Sequence, residues 1–189
     1  MYILLTGAPG SKWSSVAESI YRSPDIDRSD CNGERAYNNG QVKHVGSYFD
    51  PGMEFENARE NWDKPFSGTG KRIIKSHTFA HKLDELKQLG YPIVMVYRSH
   101  LECYDWWVQA GGFDITYPDY SYFGDLDTMW AHIQQQNKDI NRFILQNLEH
   151  ITCPVDNFDL CSLLQIKSPS RENRIHNYAE RDTKVYVYR

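Results

Sequence analysis

The chain has 189 residues, enough for one well-filled hydrophobic core but not for two, so a single domain spanning residues 1–189 is expected. Its 40% hydrophobic and 24% charged residues are those of a soluble globular protein, and a formal net charge of −4 argues against a general nucleic-acid binder, which needs a clustered basic face. Four cysteines without a C-x-x-C pair (Cys31, Cys103, Cys153, Cys161) indicate neither a disulfide framework nor a zinc knuckle.

Tyr2-Ile3-Leu4-Leu5 reads as a buried strand, and Ser14 to Tyr21 as a helix with Val16, Ala17 and Ile20 on one face. Residues 22 to 70 are poor in periodicity and read mostly as loops, with a short strand near Val42 to Tyr48 and a helical turn near Glu54 to Asn61. Arg72 to Lys75 is a predicted strand, followed by a helix from about Phe79 to Leu89 that stops at Gly90. Pro92 to Tyr97 is a nearly continuous apolar strand of the kind buried on both faces of a parallel sheet.

Helices are expected from His100 to Ala110 and from Leu126 to about Leu148, separated by a loop rich in Tyr, Phe and Asp that would suit a lid. A strand at Ile151 to Val155, a short helix at Asp159 to Gln165 and an extended piece at Lys184 to Tyr188 complete the chain. From Gln165 onward the segment carries Lys167, Arg171, Arg174, Arg181, Lys184 and Arg189 against Glu172, Glu180 and Asp182, a basic balance suited to an anionic ligand or to a solvated surface. No run approaches the length of a membrane span and no signal-like leader stands at the start, so a cytoplasmic protein is expected, with no membrane partner.

Alternating strands and helices imply an α/β fold: three layers, a mostly parallel central sheet and helices on both faces. Ligands of such sheets bind at the carboxyl ends of the strands, where three clusters should converge. In the first, Gly7, Pro9, Gly10 and Ser11 lie between strand and helix, where small residues let backbone N–H groups and the helix N-terminus point at an anion. As a Walker A motif the loop fails, because Lys12 and Trp13 fall where Gly and Lys are required and only Ser14 agrees.

In the second, Lys75 and His77 sit two residues apart at a strand end, hence on one side of the pleat, where a His takes a proton and a Lys neutralises a leaving oxygen. In the third, Arg98 and Ser99 end the central strand, a grip for a second phosphate unless a nearby carboxylate caps the Arg.

Together these clusters resemble the sulfotransferase family, which moves a sulfuryl group from 3'-phosphoadenosine 5'-phosphosulfate to an acceptor hydroxyl or amine and uses a P-loop-like fold. Pro9-Gly10-Ser11-Lys12-Trp13-Ser14 is similar to the family's phosphosulfate loop, Lys75-Ser76-His77 to its K-[ST]-H motif, and Arg98-Ser99-His100-Leu101-Glu102 to the segment whose Arg holds the 3'-phosphate. Asp156 to Leu160 is similar to a later acidic stretch, and Arg171-Glu172-Asn173-Arg174 faintly to the basic C-terminal loop.

The resemblance implies His77 as base, Lys75 and Lys12 as charge stabilisers, and donor contacts from Gly7, Pro9, Gly10, Ser11, Lys12, Trp13, Ser14, Arg98 and the position of Trp106. It also implies a small-molecule, carbohydrate or peptide acceptor and no metal. The sequence departs from the pattern at Gly10, where the family has a cation, and at Trp106, where it has a phosphate-binding Ser.

Three other readings stand beside it. A small-molecule kinase shares the strand–loop–helix opening but lacks G-K-[ST] and a clear magnesium-holding Asp. A catalytically degenerate relative would bind a nucleotide or a partner without transfer, with Trp106-Trp107 as a stacking surface or as one core and one half-buried residue. His77, His81 and Glu85 would align as metal ligands only if one helix ran through all three.

Overall fold

The computed structural model describes residues 1–30, 44–55, 58–169 and 182–189. Cys31, the loop signals at Asn32-Gly33 and Asn38 to Gly40, the start of the strand expected from Val42, and the tail residues 170–181 lie outside the described residues.

Six strands form one sheet in the order β2-β3-β1-β4-β6-β5, made of β1 (Tyr2–Gly7), β2 (Ser47–Tyr48), β3 (Arg72–Lys75), β4 (Ile93–Tyr97), β5 (Ile151–Thr152) and β6 (Lys184–Tyr188). Strands β2, β3, β1 and β4 are parallel, with Leu4 opposite Ile74 on one side and Ile93 on the other. β6 runs antiparallel to both β4 and β5, so the sheet is mixed although mostly parallel.

Period-2 alternation in the central strands feeds two apolar layers. Ile3, Leu5, Val94 and Val96 face α1 (Trp13–Tyr21) and α5 (Asn157–Leu163) through Val16, Ala17, Ile20, Leu160 and Cys161. Leu4, Ile93 and Met95 face the other way, onto Phe79, Leu83 and Leu86 and onto Ile140, Phe143 and Ile144 of α4 (Leu126–Gln146). A third cluster, with Ala8, Cys103, Trp107, Tyr120, Phe123 and Met129, caps the carboxyl edge of the sheet beside α3 (His100–Gln109).

The helix expected from Phe79 to Leu89 is instead 3-10 over His77–Lys82, one α turn at Leu83–Leu86 (α2) and 3-10 again over Lys87–Leu89. Lys82, with φ −121° and ψ 16°, breaks the regular ladder, and Gly90 ends the segment at φ 70°, the left-handed C-terminal position glycine favours. Because His77 opens the 3-10 turn, it and His81 do not share an α-helical face. No group of three or more His, Cys, Asp or Glu side chains suited to a metal occurs among the described residues. Nor is any described helix long and apolar enough to cross a membrane.

β1 and β4 are neighbours whose outgoing connections lead to opposite sides, β1 toward β2 and β4 toward β5. That makes their carboxyl ends a topological switch point, the place where open α/β sheets bind ligands.

Candidate functional site

The loop after β1 is a tight turn, closed by the Ser11 amide on the Ala8 carbonyl at 2.9 Å. Its glycines are required by contact. A Cβ on Gly7 would lie 2.5 Å from Ser11 Oγ and 2.7 Å from the Val96 carbonyl oxygen. On Gly10, at φ 78°, it would stand 1.8 Å from the Cys103 carbonyl oxygen. The cation of the resembled motif therefore has no room at position 10, and Lys12 supplies the loop's positive charge two residues on.

Lys12 holds a left-handed backbone (φ 64°, ψ 22°), a conformation that costs a non-glycine residue about 1–3 kcal/mol and clusters at functional sites. Its Nζ lies 4.4 Å from the Trp106 ring centroid. α1 starts at Trp13 with no side-chain cap, whereas Ser99, Asp125 and Asp156 cap α3, α4 and α5. Ser11 Oγ is fully buried beside that N-terminus without a hydrogen-bond partner among the described residues. A buried hydroxyl left unsatisfied costs about 1–3 kcal/mol, which a bound anion would relieve.

β3 delivers Lys75 and His77, both fully buried, to the same side of the sheet, where both meet Trp13 and Tyr48. His77 Nδ1 bonds the Gly7 carbonyl. A carbonyl only accepts, so Nδ1 carries the proton and Nε2 presents its lone pair toward the Tyr120 hydroxyl at 3.4 Å. Burial pushes the imidazole below its ordinary value and Lys75 adds to this, while Asp50 and the Gly7 carbonyl oppose it. The lowering favours the neutral ring, with Nε2 as its unprotonated nitrogen. Lys75 Nζ turns toward His44 Nδ1 at 3.4 Å, and His44 donates its other nitrogen to the Tyr117 carbonyl at 3.0 Å.

At the end of β4, Arg98 is almost wholly buried and bonds Asp182 through Nε at 2.6 Å and also through Nη2. Its Nη1 reaches the carbonyls of Glu102 (3.2 Å) and Gly10 (3.4 Å), so the Arg buttresses the loop between β1 and α1. Burial works against the charge on Asp182, but the bond and charge of Arg98 hold its carboxyl below the ordinary value. The capping carboxylate considered from sequence is therefore present. Trp106 and Trp107 divide as one half-exposed and one core residue, 43% and 1% exposed.

Burial pushes the Cys103 thiol up to about 12, which removes it as a nucleophile. The loop between α3 and α4 covers His77 with Tyr120 and His44 with Tyr117.

One contributor had no counterpart in the sequence motifs. Asp50, two residues beyond β2 and 2% exposed, accepts hydrogen bonds from Ser76 Oγ (2.6 Å) and from the His77 and Thr78 amides (3.3 Å each). The short strand expected near Val42 to Tyr48 is present as β2 at Ser47–Tyr48, and the signal for Asp50 was an acid just beyond it.

The chain matches no protein-family model, no curated protein and no solved structure.

Proposed function

We propose that the chain binds 3'-phosphoadenosine 5'-phosphosulfate on the Gly7 to Ser14 loop and transfers its sulfuryl group to an acceptor hydroxyl or amine, with His77 as general base. The observation that carries this reading is the bond from His77 Nδ1 to the Gly7 carbonyl, which ties a neutral base to the loop that would hold the anion. The orphaned Ser11 hydroxyl and the uncapped start of α1 suit a phosphosulfate there.

In this chemistry the donor supplies a sulfur–oxygen bond to a phosphate leaving group. Nε2 of His77 takes the acceptor's proton as the acceptor atom bonds sulfur, and the positive charges of Lys12 and Lys75 favour the phosphate oxygen released. Positioning and charge stabilisation suffice, as they do for phosphoryl transfer through a loose transition state.

A catalytically silent nucleotide- or partner-binding role is the second reading, favoured by the pairing of Arg98 with Asp182. A kinase is less well supported. Asp50, the acid two residues beyond β2, already has donors on both oxygens.

Calorimetry with 3'-phosphoadenosine 5'-phosphate, set against ATP with magnesium, separates the three. Binding of the first supports a phosphosulfate site, preference for ATP overturns it, and silence from both leaves a partner-binding module; binding without measurable sulfuryl transfer leaves a silent nucleotide binder. If the donor product binds, a His77→Ala variant that retains affinity yet transfers at the original rate removes His77 as base.

A further inference from the structure

β2 is a two-residue edge strand, yet its continuation governs the segment that carries the base. Ser47 and Tyr48 lie opposite Ile74 and Lys75, and the ladder runs on through the Phe49 amide to the Lys75 carbonyl at 2.9 Å. One residue further, Asp50 arrives beside Ser76 and His77 just where β3 ends and the 3-10 turn begins. Ser76 is extended there (φ −157°, ψ 139°), and its own hydroxyl accepts from the Thr78 amide at 3.1 Å. Asp50 thus caps the opening of the turn from a neighbouring strand, taking one hydroxyl and two amides.

A carboxylate at 2% exposure needs such donors, and three of them fix its place. They also fix the backbone of His77, whose ring is set on its other sides by the Gly7 carbonyl, the Trp13 face and the Tyr120 hydroxyl.

We infer that Asp50 is the positioning residue for His77: it locks the backbone that aims Nε2 and supplies the negative charge that balances the imidazolium formed when Nε2 takes a proton. The inference rests on the proposed role of His77 as base. Among the described residues, the ionisable groups facing the ring are Asp50 beyond β2, Tyr48 on β2, Lys75 on β3 and Tyr120 from the α3–α4 loop. Asp50 brings the negative charge among them, and it opposes the effects of burial and of Lys75 on the imidazole. An asparagine at position 50 keeps an oxygen acceptor while removing the charge. A glutamate keeps the charge but, being one methylene longer, displaces it from the three donors.

The experiment follows His77 by NMR titration of histidine-labelled protein in the wild type, Asp50→Asn and Asp50→Glu, with sulfuryl transfer measured in parallel. In Asp50→Asn the His77 midpoint is expected to move to lower pH, and kcat to fall about tenfold or more, as when a residue that orients a functional ligand is lost. The affinity for 3'-phosphoadenosine 5'-phosphate should be unchanged. The acidic limb of the kcat profile should follow the midpoint downward, a shift that a merely structural role does not produce.

In Asp50→Glu the midpoint should return toward the wild-type value while kcat stays low. An unmoved midpoint in Asp50→Asn, or identical behaviour of the two variants, overturns the inference. Should Asp50→Asn fail to fold, Asp50→Glu decides: a wild-type kcat there overturns the positioning role, and a reduced kcat with a retained midpoint supports it. A chain that binds no donor product but still shows the midpoint shift defeats the sulfotransferase reading and leaves the Asp50–His77 coupling standing.

Discussion

The indole of Trp13 lies flat against the imidazole of His77, ring centroids 3.9 Å apart and 24° from parallel. The first residue of α1 thereby covers the residue that opens the 3-10 turn after β3, and Lys75 Nζ sits 5.6 Å from the centroid of the same indole. Trp13→Ala is expected to destabilise the fold by about 3–5 kcal/mol through lost packing, read by urea denaturation. It should also admit water to His77. Since burial is the main cause of the lowered imidazole value, the His77 midpoint should rise in this variant, the opposite direction to Asp50→Asn.

Acid should destabilise the protein in two separable stages. The unfolded chain takes up a proton on His77 near the ordinary value of 6.5, whereas the folded chain resists it. The unfolded state therefore binds more protons, and stability falls as pH drops below about 6.5 and down through the folded value. Asp27, Asp63 and Asp182 behave otherwise: their folded values lie below the ordinary 3.8, so what they contribute survives until pH falls below that range. Thermal melts between about pH 7.5 and about pH 5 should show a decline in Tm that is reduced in His77→Gln. His132, also lowered by burial, accounts for part of the remainder.

Much of this arrangement was legible from sequence because apolar runs announce buried strands and strand ends announce sites. Ile3 to Leu5, Arg72 to Lys75 and Ile93 to Val96 identified central strands, and the ends of the last two placed Lys75, His77 and Arg98 at one edge. What stayed hidden depends on contacts between residues far apart in the chain. The edge strand that brings Asp50 was expected near Val42 to Tyr48, but the bonds from Asp50 to Ser76, His77 and Thr78 span 26 to 28 positions. Asp182 meets Arg98 across 84 positions, and no local pattern encodes that ion pair. The 3-10 opening over residues 77–82 likewise involves a distant partner, since Asp50 accepts from the His77 and Thr78 amides of its first turn.

The glycine at position 10 looks like a defect in the loop until its contact with α3 is seen. Placing a cation there by Gly10→Lys should fail to strengthen anion binding and should damage the fold. An L-residue in left-handed backbone costs about 1–2 kcal/mol, and the clash of its Cβ with the Cys103 carbonyl adds to that. Gly10→Ala should show the same loss of stability in urea denaturation, which would assign the damage to the Cβ rather than to the charge.

If Arg98 grips a phosphate, Asp182 competes with it. Asp182→Asn should bind 3'-phosphoadenosine 5'-phosphate roughly tenfold more tightly by calorimetry, the scale of one charge-assisted hydrogen bond of about 1.5 kcal/mol. Unchanged affinity in Asp182→Asn would confine Arg98 to buttressing the loop through the Gly10 and Glu102 carbonyls.

Tyr120 covers the Nε2 of His77, the nitrogen that acts as base in the proposed reaction. Its hydroxyl sits 3.4 Å from His77 Nε2, where an acceptor's hydroxyl would have to lie, and the residue is 6% exposed, held edge-on by Trp107 at 5.6 Å and stacked with Phe123 at 6.0 Å. The segment that carries it is bounded by Gly111 and Gly112 at φ 124° and 56° and by Gly124 at φ 81°, positions where an L-residue is strained. In the proposed reaction an acceptor must therefore displace the Tyr120 phenol before Nε2 can take its proton. Tyr120→Ala removes that cover, so diethyl pyrocarbonate should modify His77 faster than in the wild type, as followed by peptide mass spectrometry. Tyr120→Phe keeps the ring and takes away the hydroxyl, so modification should stay slow while urea stability drops by about 1–3 kcal/mol for the buried nitrogen left without a donor. Equal modification rates in wild type and Tyr120→Ala would mean that His77 is covered from another side, and access to the base would then be governed by Trp13 and Tyr48.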